Sequence, residues 1–590
     1  MDSQKRMLIA LGLSFALTLL YMTFFAPKGQ QGQVSPPPRA STEAPDAGAR
    51  VASPPAAGLP LEPAPPAQSP AREVERDFPL VHYLFSSRGG GLLRAELEGQ
   101  KMREQVRVSF GEGLAQLVTG KEPARPQMQM AIPVPGQALP LAVSITGPQP
   151  LSEFVNYSIG EGADKQISFV GSQSGWEVSK TIDWSPDGLH FLYTIAVKNA
   201  GTQPAAGELG IHYARAVDAA SEEKPSFFGG VGNLSGAACR VGEDLKKVLP
   251  DDKPPSEHRG PIAFFGIDQQ YFLAALFPVD GSREGRCVLS ATASVRSVSA
   301  YFPIQVMPGQ SVSYRFGAYL GPKEMDELNN APAKVPGLQE AAISAPHLEK
   351  TVDFGIWAFI CNVLLVVLKF FYRITGNWGV AIIGLTVVVK VALMPLTHKA
   401  MVSGEAMKKL QPKIEEIRKK FAEDKERQNL ETMKMYQEAK VNPLGGCLPM
   451  LVQMPVWIAL FTTLRNSYEI YGEPFIRPFW TDLTYKDPTY ILPLLLCITM
   501  IVTQKLQPQM MDATQAKVMT YVMPVFFTAI ILNYPAGLSL YIFTNNVLSI
   551  AQQYGLRKYL EKKGIAQKVE RKEKKDERQR SSLSGKRASR

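Results

Sequence analysis

The long apolar runs of this 590-residue chain lack negative charge. No Asp or Glu lies inside the stretches 7–26, 380–397, 448–465, 490–506, 518–534 or 538–555. A proton- or cation-coupled carrier normally places a carboxylate in its membrane core, so that class loses support. Cysteine and histidine are scarce, at five and six residues. No CxxC or Cys/His ligand spacing occurs, which argues against a zinc site. A GxxxxGK[ST] loop is missing too, so nothing points to nucleotide hydrolysis, and no cofactor is called for. A sugar-active enzyme would need a carboxylate or histidine constellation, but His82, His190, His212 and His258 show no motif spacing. Asp183 and Asp187 flank the turn Pro186-Asp-Gly188 and read as turn chemistry.

What is present falls into unlike halves, which the mean hydropathy of −0.07 averages. The formal net charge is +10, with the excess in the second half and the tail. Met7–Ala26 is an apolar helix of spanning length behind Lys5 and Arg6. Phe24-Phe25-Ala26 offers no A-x-A-like cleavage pattern, so residues 1–26 read as an uncleaved anchor with a cytoplasmic N-terminus. Residues 27–72 are rich in Pro and Ala and read as an extended linker. Residues 73–345 read as a β-rich sandwich. Phe191–Asn199 and Val312–Leu320 alternate apolar and polar side chains, and Ser290–Ser299 is β-prone. Asn199-Ala-Gly201 is a further turn signal. Cys239 and Cys287 can bond if this half lies outside the cytoplasm.

Residues 354–373 are apolar but carry Asn362 and Lys369, and Gly376–Gly379 breaks the pattern directly after. Such a segment reads as an amphipathic helix lying in the interface, anchored by Trp357, Lys369 and Arg373. Spans are expected at 380–397, 448–465, 490–506, 518–534 and 538–555. With the anchor that makes six crossings. Pro535-Ala-Gly537 leaves almost no loop between the last two.

Basic loops orient the set. Residues 398–446 hold eleven Lys and Arg from Lys399 to Lys440, and the tail 556–590 is similarly basic, whereas 466–489 has only Arg477 and Lys486. Both termini are therefore expected in the cytoplasm and the β-rich part outside. Within 398–446, Leu410, Ile414, Ile417 and Phe421 form one helical stripe, and Leu430, Met433 and Tyr436 a second. Glu423-Asp424 lies between them, which predicts an antiparallel helical hairpin. The hairpin is either a docking arm for a ribosome, targeting factor or nascent chain, or a plain connector. The tail can bind ribosomal RNA by charge, or merely set topology.

Lys390 is the residue that singles this chain out. It lies about 16 Å along a helix from Gly379, at ~1.5 Å per residue, inside an otherwise uncharged run. A charge there costs about 2.5–3.5 kcal/mol on insertion scales, so it normally faces a polar cavity or a partner. The alternative is a side chain that snorkels to the polar flank at Thr397-His398-Lys399. Thr386 shares its helix face, at i and i+4. Tyr541, Asn545 and Ser549 repeat that spacing, with Thr544 and Asn546 beside them, and Thr499, Thr503 and Gln504 add polarity in a neighbouring span. These helices together can line a wet cavity with one fixed positive charge, and an anion channel or carrier remains the rival reading. Met394-Pro395, Met454-Pro455 and Met523-Pro524 are adaptable, loosened apolar surfaces suited to varied apolar segments.

The chain resembles YidC/Oxa-type membrane protein insertases, in the Gram-negative YidC form. The resemblance is close over about 354–563 and rests on Gly376-Asn-Trp-Gly379, Pro395-Leu-Thr397, Leu410-Gln-Pro-Lys413, Lys440-Val-Asn-Pro-Leu-Gly-Gly-Cys447, Gln453-Met-Pro455, Tyr490-Ile-Leu-Pro493, Met519-Thr-Tyr-Val-Met-Pro524 and Pro535-Ala-Gly-Leu-Ser-Leu-Tyr541. It implies a polytopic α-helical inner-membrane protein with a five-helix conserved core and a periplasmic β-supersandwich of galactose-mutarotase-like shape. It also implies an insertase and chaperone rather than an enzyme of covalent chemistry. Such proteins insert nascent membrane proteins into the bilayer they sit in and help them fold, alone or beside the Sec translocon. In the family a hydrophilic groove with a positive charge attracts polar, often acidic, client segments while the client's apolar helix leaves along the third and fifth spans. On that basis Lys390, Thr386, Tyr541 and Asn545 are groove residues here, and Met454, Pro455, Met523 and Pro524 form the client slide. Two positions depart from the family pattern. Lys390 stands where Arg is usual, which keeps long-range attraction but not bidentate capture of a carboxylate. Ile542 stands where an aromatic is common, so a client-contact role there loses its basis.

Overall fold

A computed structural model describes residues 71–562 of the chain apart from 106–107, 163–164, 219–221, 223–234, 251–253, 339–345, 440–447 and 507–512. The expected anchor 1–26, nearly all of the linker 27–72 and the tail beyond 562 lie outside the described residues.

The first half is two antiparallel sheets. β1 (Glu73–Asp77), β2 (Val81–Ser86), β3 (Gly91–Leu97) and β4 (Gln129–Ala131) form a four-stranded sheet in that order. Thirteen strands form the second: β5 (Val143–Thr146), β6 (Ser158–Glu161), β7 (Gln166–Gln173), β8 (Trp176–Trp184), β9 (His190–Asn199), β10 (Ala205–Ala216), β11 (Gly236–Val241), β12 (Asp244–Val248), β13 (Ser256–Asp268), β14 (Phe272–Pro278), β15 (Arg283–Ala291), β16 (Val295–Val306) and β17 (Ser311–Pro322). The order is β5-β10-β16-β15-β13-β14-β17-β9-β8-β7-β6, with β11 on β13 and β12 on β11. Tyr83 and Phe85 of the small sheet pack on Trp184 and Phe169 of the large one, with ring centroids 5.5 and 5.8 Å apart.

Period-two patterning sets these faces. In β8 every second residue is buried, from Trp176 to Trp184. Lys180 falls in that inward series, and its Nζ donates to the carbonyls of Gly89 and Gly90, each at 2.6 Å. The expected strand at Phe191–Asn199 is β9, and that at Val312–Leu320 lies within β17. Ser290–Ser299 is not one strand: it is the hairpin between β15 and β16, closed by Thr292, whose Oγ1 accepts from Val295 N at 3.2 Å. Gly188 takes φ +82° in the expected Pro186-Asp-Gly188 turn, where a Cβ would meet Phe78 at 2.5 Å. Cys239 and Cys287 form a disulfide, joining β11 to β15, the chemistry of an oxidising compartment. Two helices interrupt the β-rich part, α1 (Phe110–Thr119) and α2 (Met325–Lys334).

The second half is helical: α3 (Ala358–Thr375), α4 (Trp378–Ala392), α5 (Met394–Lys420), α6 (Lys425–Glu438), α7 (Leu448–Asn466), α8 (Ile491–Leu506), α9 (Met523–Ile531, continuing a π-helical turn at Val518–Val522) and α10 (Ala536–Lys562). The expected continuous span 380–397 is broken at Leu393, and the two pieces meet at a 60° bend. Pro395 is the cause: it has no N–H for the Val391 carbonyl, and its ring crowds that carbonyl. By length and apolar composition, Gly355–Thr375 is the one continuous helix among the described residues able to cross a membrane, or one of two if the bent pair counts as a span. Six crossings are therefore not visible by that criterion. The segment passing it best is the one whose sequence reads as interfacial. α8 and α9 are short, and polar residues such as Gln453 and Asn545 dilute α7 and α10.

The hairpin 398–446 is seen as α5 and α6. Met407, Leu410, Ile414 and Tyr436 are its buried cluster. Leu430 and Met433 instead stand 51% exposed, so the second predicted stripe does not face the partner helix, and only Tyr436 of it does.

Candidate intramembrane site

The site lies where α4, α7, α8 and α10 meet. α4 starts at Asn377, whose side chain caps the helix by accepting from Val380 N at 3.0 Å. Ala381, Ile382 and Leu385 then bury one face against neighbouring helices. Lys390 continues that inward face and is only 9% exposed. Its Nζ donates to Ser549 Oγ on α10 at 2.7 Å. Ser549 in turn donates to the Asn545 carbonyl at 2.8 Å. Among the described residues no carboxylate forms an ion pair with Lys390.

Sequence spacing places Tyr541, Asn545 and Ser549 on one face of α10, and the structure brings that face to α4. Tyr541 is buried, and its hydroxyl accepts from Gln453 Nε2 of α7 at 2.8 Å. The Asn545 side-chain oxygen is buried with no hydrogen-bond partner, an acceptor whose desolvation is uncompensated within the protein. Thr386 is fully buried and donates to the Ile382 carbonyl of its own helix at 2.6 Å. Its hydroxyl proton is thus committed locally. Asn546 Nδ2 donates to Thr499 Oγ1 at 3.4 Å, joining α10 to α8. Gln453 was not singled out by spacing. The available signal was an amide in an otherwise apolar run, one residue before Met454-Pro455.

Of the client-slide residues, Met454, Pro455 and Met523 are half-buried and Pro524 is buried. Pro524 therefore presents no surface here, and the exposed apolar face of this segment is carried by Tyr521, Val522 and Val525. Ile542 is half-buried and packs on the core.

One end of the helices is closed by the 466–490 loop, which the β-rich half covers. Tyr271 and Tyr471 pack with centroids 4.4 Å apart, and Phe272 meets Tyr468 at 5.6 Å. Arg125 Nη1 donates to Asp482 Oδ2 at 2.9 Å, and Gln105 Nε2 to Thr484 Oγ1 at 2.9 Å. Lys323 fixes the entry to the helices: its Nζ donates to Asp268 Oδ1 at 2.8 Å and to the Thr351 carbonyl at 2.7 Å.

Comparison with known proteins covers both halves. Residues 370–563 match the family described as 60Kd inner membrane protein, and 153–367 that described as YidC periplasmic domain. The chain is 36% identical over 475 residues to the membrane protein insertase YidC of an Anaeromyxobacter species, covering 80% of this chain and 81% of that one. It is 32% identical over 576 residues to the Syntrophus aciditrophicus protein of the same name, covering 94% and 99%. An active YidC insertase crystal structure with its first transmembrane domain resolved covers 83% of this chain and 93% of its own, at 18% identity and a TM-score of 0.34. A galactose mutarotase-like protein from Lactobacillus casei covers 42% of this chain at 9% identity and a TM-score of 0.28.

Proposed function

The chain belongs to the YidC family of membrane protein insertases, and from that premise we propose that it inserts and helps fold inner-membrane proteins by catalysed partitioning at the Lys390 site. The observation that carries the reading is a lysine in an apolar helix, turned inward onto Ser549 rather than paired with a carboxylate. Its charge is fixed by a neutral hydroxyl and stays available to an acidic client segment. Asn545, with an unused side-chain oxygen, and Tyr541 complete a polar seam between α4, α7 and α10. A polar segment crossing neat bilayer loses its water at several kcal/mol per unsatisfied group. A polar seam shortens the dry path, and Lys390 offsets part of the cost for acidic tails. Thr386 lines the same face but has its proton engaged, so its role is packing and polarity.

In this reading the anchor and the segments carried by α4, α7, α8, α9 and α10 make six crossings, with both termini cytoplasmic and the β-rich domain periplasmic. α3 lies in the outer interface. The client's apolar helix leaves past Met454, Pro455, Met523 and the exposed apolar residues beside Pro524. Clients arrive alone or from the Sec translocon, and the hairpin and basic tail receive ribosomes or targeting factors. Once across, the client is held by lipid and by the membrane potential acting on its charges.

The test is insertion by the purified full chain in sealed liposomes, scored by protease protection of a one-span client with a short acidic tail. Wild type and Lys390→Arg insert it, and Lys390→Ala falls at least tenfold, the equivalent of about 1.4 kcal/mol. Equal insertion by all three returns Lys390 to a snorkelling role. No insertion above empty liposomes favours an anion carrier, to be followed by solute flux.

A further inference from the structure

Helix α1 of the β-rich half turns its small and polar residues inward. Gly113 is buried so closely on Pro488 that a Cβ would come within 2.8 Å of it. Gln116 is buried and donates to the Pro478 carbonyl at 2.9 Å. The large apolar residues point the other way: Phe110, Leu114 and Val118 are 54, 50 and 82% exposed. Their i, i+4, i+8 spacing makes one stripe. A helix surrounded by water turns such a stripe to its core. This helix is nevertheless firmly specified. Ser109 and Glu112 form a capping box, and Gly120 ends it at φ 68°.

The stripe is continuous with the apolar surface of α8. The Phe110 ring stacks on Tyr490 with centroids 5.6 Å apart and planes 19° apart. Tyr490 immediately precedes α8, where Leu494, Ile498 and Val502 repeat the i, i+4, i+8 spacing and are 62, 51 and 38% exposed. If α8 crosses the bilayer, those residues face acyl chains and Tyr490 lies at headgroup level, where its amphipathic ring is favoured.

We propose that α1 is an interfacial helix: the β-rich domain presses Phe110, Leu114 and Val118 into the outer leaflet beside the outer end of α8, and lipid acyl chains cover the stripe. The inference rests on the spanning reading of α8. It gives the domain a second attachment to the membrane besides its chain connections, and ties lipid contact directly to the 466–490 loop through Pro478 and Pro488.

The experiment uses the full chain at one copy per lipid nanodisc, with unbrominated or brominated acyl chains, and reads tryptophan emission after subtraction of the wild-type signal. Leu114→Trp and Val118→Trp should be quenched by bromine as strongly as Ile498→Trp in α8. Thr119→Trp, on the opposite side of α1, should not. If Leu114→Trp and Val118→Trp behave like Thr119→Trp while Ile498→Trp is quenched, the proposal is overturned and the spanning reading survives. If Ile498→Trp is also unquenched, the spanning reading fails and takes the proposal with it. Emission from Leu114→Trp that is blue-shifted yet unquenched overturns the proposal in favour of a protein partner, either another segment of this chain or a client.

Discussion

Tyr541 can serve the seam either by contacting a client or by holding α10 to α7 through Gln453. The 2.8 Å bond between them makes the two roles separable. A buried neutral hydrogen bond contributes about 1 kcal/mol. Tyr541→Phe and Gln453→Leu should each lower stability by about that much, and the double variant by scarcely more, because both remove one interaction. If the role is structural, the two variants also lose insertion activity in parallel. If Tyr541 reaches the client, Tyr541→Phe loses activity and Gln453→Leu keeps it. Melting and insertion of the four proteins decide between these outcomes. Lys390, Tyr541, Asn545 and Ser549 were legible in the sequence because a polar residue in an apolar helix is anomalous and spacing gives its face. Gln453 was not, because no local spacing encodes which helix lies opposite. The buried state of Pro524 was illegible for the same reason.

Strand β8 and the α5–α6 hairpin show what patterning conveys about single elements and where it stops. Trp176, Val178, Lys180, Ile182 and Trp184 are the inward series of β8; the alternation is in the sequence, but this strand and its inward lysine were not among the strands expected there. Its carbonyl partners, Gly89 and Gly90, lie in the turn between β2 and β3, and no local pattern encodes them. Burial holds the Lys180 amine well below its ordinary 10.5. The folded chain therefore binds fewer protons than the unfolded chain between the depressed value and 10.5, and stability rises with pH across that window. Below it the penalty is constant. Urea melts should show the wild-type β-rich domain gaining stability from pH 7 toward pH 10 relative to Lys180→Met. Parallel pH profiles would mean that Lys180 is solvated. In the hairpin, helical spacing placed Leu410 and Ile414 of α5 in the buried cluster, while Ile417 and Phe421 of the same stripe are only half-buried and lie outside it. It misplaced Leu430 and Met433, since a short amphipathic helix offers more than one apolar face. With four side chains in the buried cluster, the hairpin has little to hold it. Tyr436→Ala should speed amide exchange through 425–438 while leaving the β-rich half unchanged, and Leu430→Ala should do neither.

For the whole molecule, the β-rich half and the helical bundle share one continuous core through Tyr271, Phe272, Tyr468 and Tyr471. Composition divides the chain cleanly near residue 350 and gives no hint of this joint, because the joining residues are scattered aromatics in loops and strand ends. Deletion of 73–345 would separate a sugar-active enzyme, which loses its function, from an insertase carried by the helical half. The structure changes what that deletion tests: it also strips the 466–490 loop of its packing and of the Arg125–Asp482 pair. Arg125 and Asp482 are 19% and 4% exposed at their side chains, so the pair is largely out of water. Asp482 also accepts from Thr484 N at 2.9 Å and from Thr484 Oγ1 at 2.6 Å, holding the loop's own turn. Arg125→Ala leaves that turn intact and removes one bond across the joint, at a cost of about 2 kcal/mol for a charged hydrogen bond. Asp482→Ala removes both and leaves Arg125 without its carboxylate, so it should cost more. Hydrogen exchange of the full chain in nanodiscs should therefore accelerate in 466–490 for both variants, more for Asp482→Ala, with the strands of the large sheet unaffected. If exchange in the loop is unchanged by Arg125→Ala, the Arg125–Asp482 bond does not order the loop, and its hold falls to the aromatic contacts of Tyr271 and Phe272.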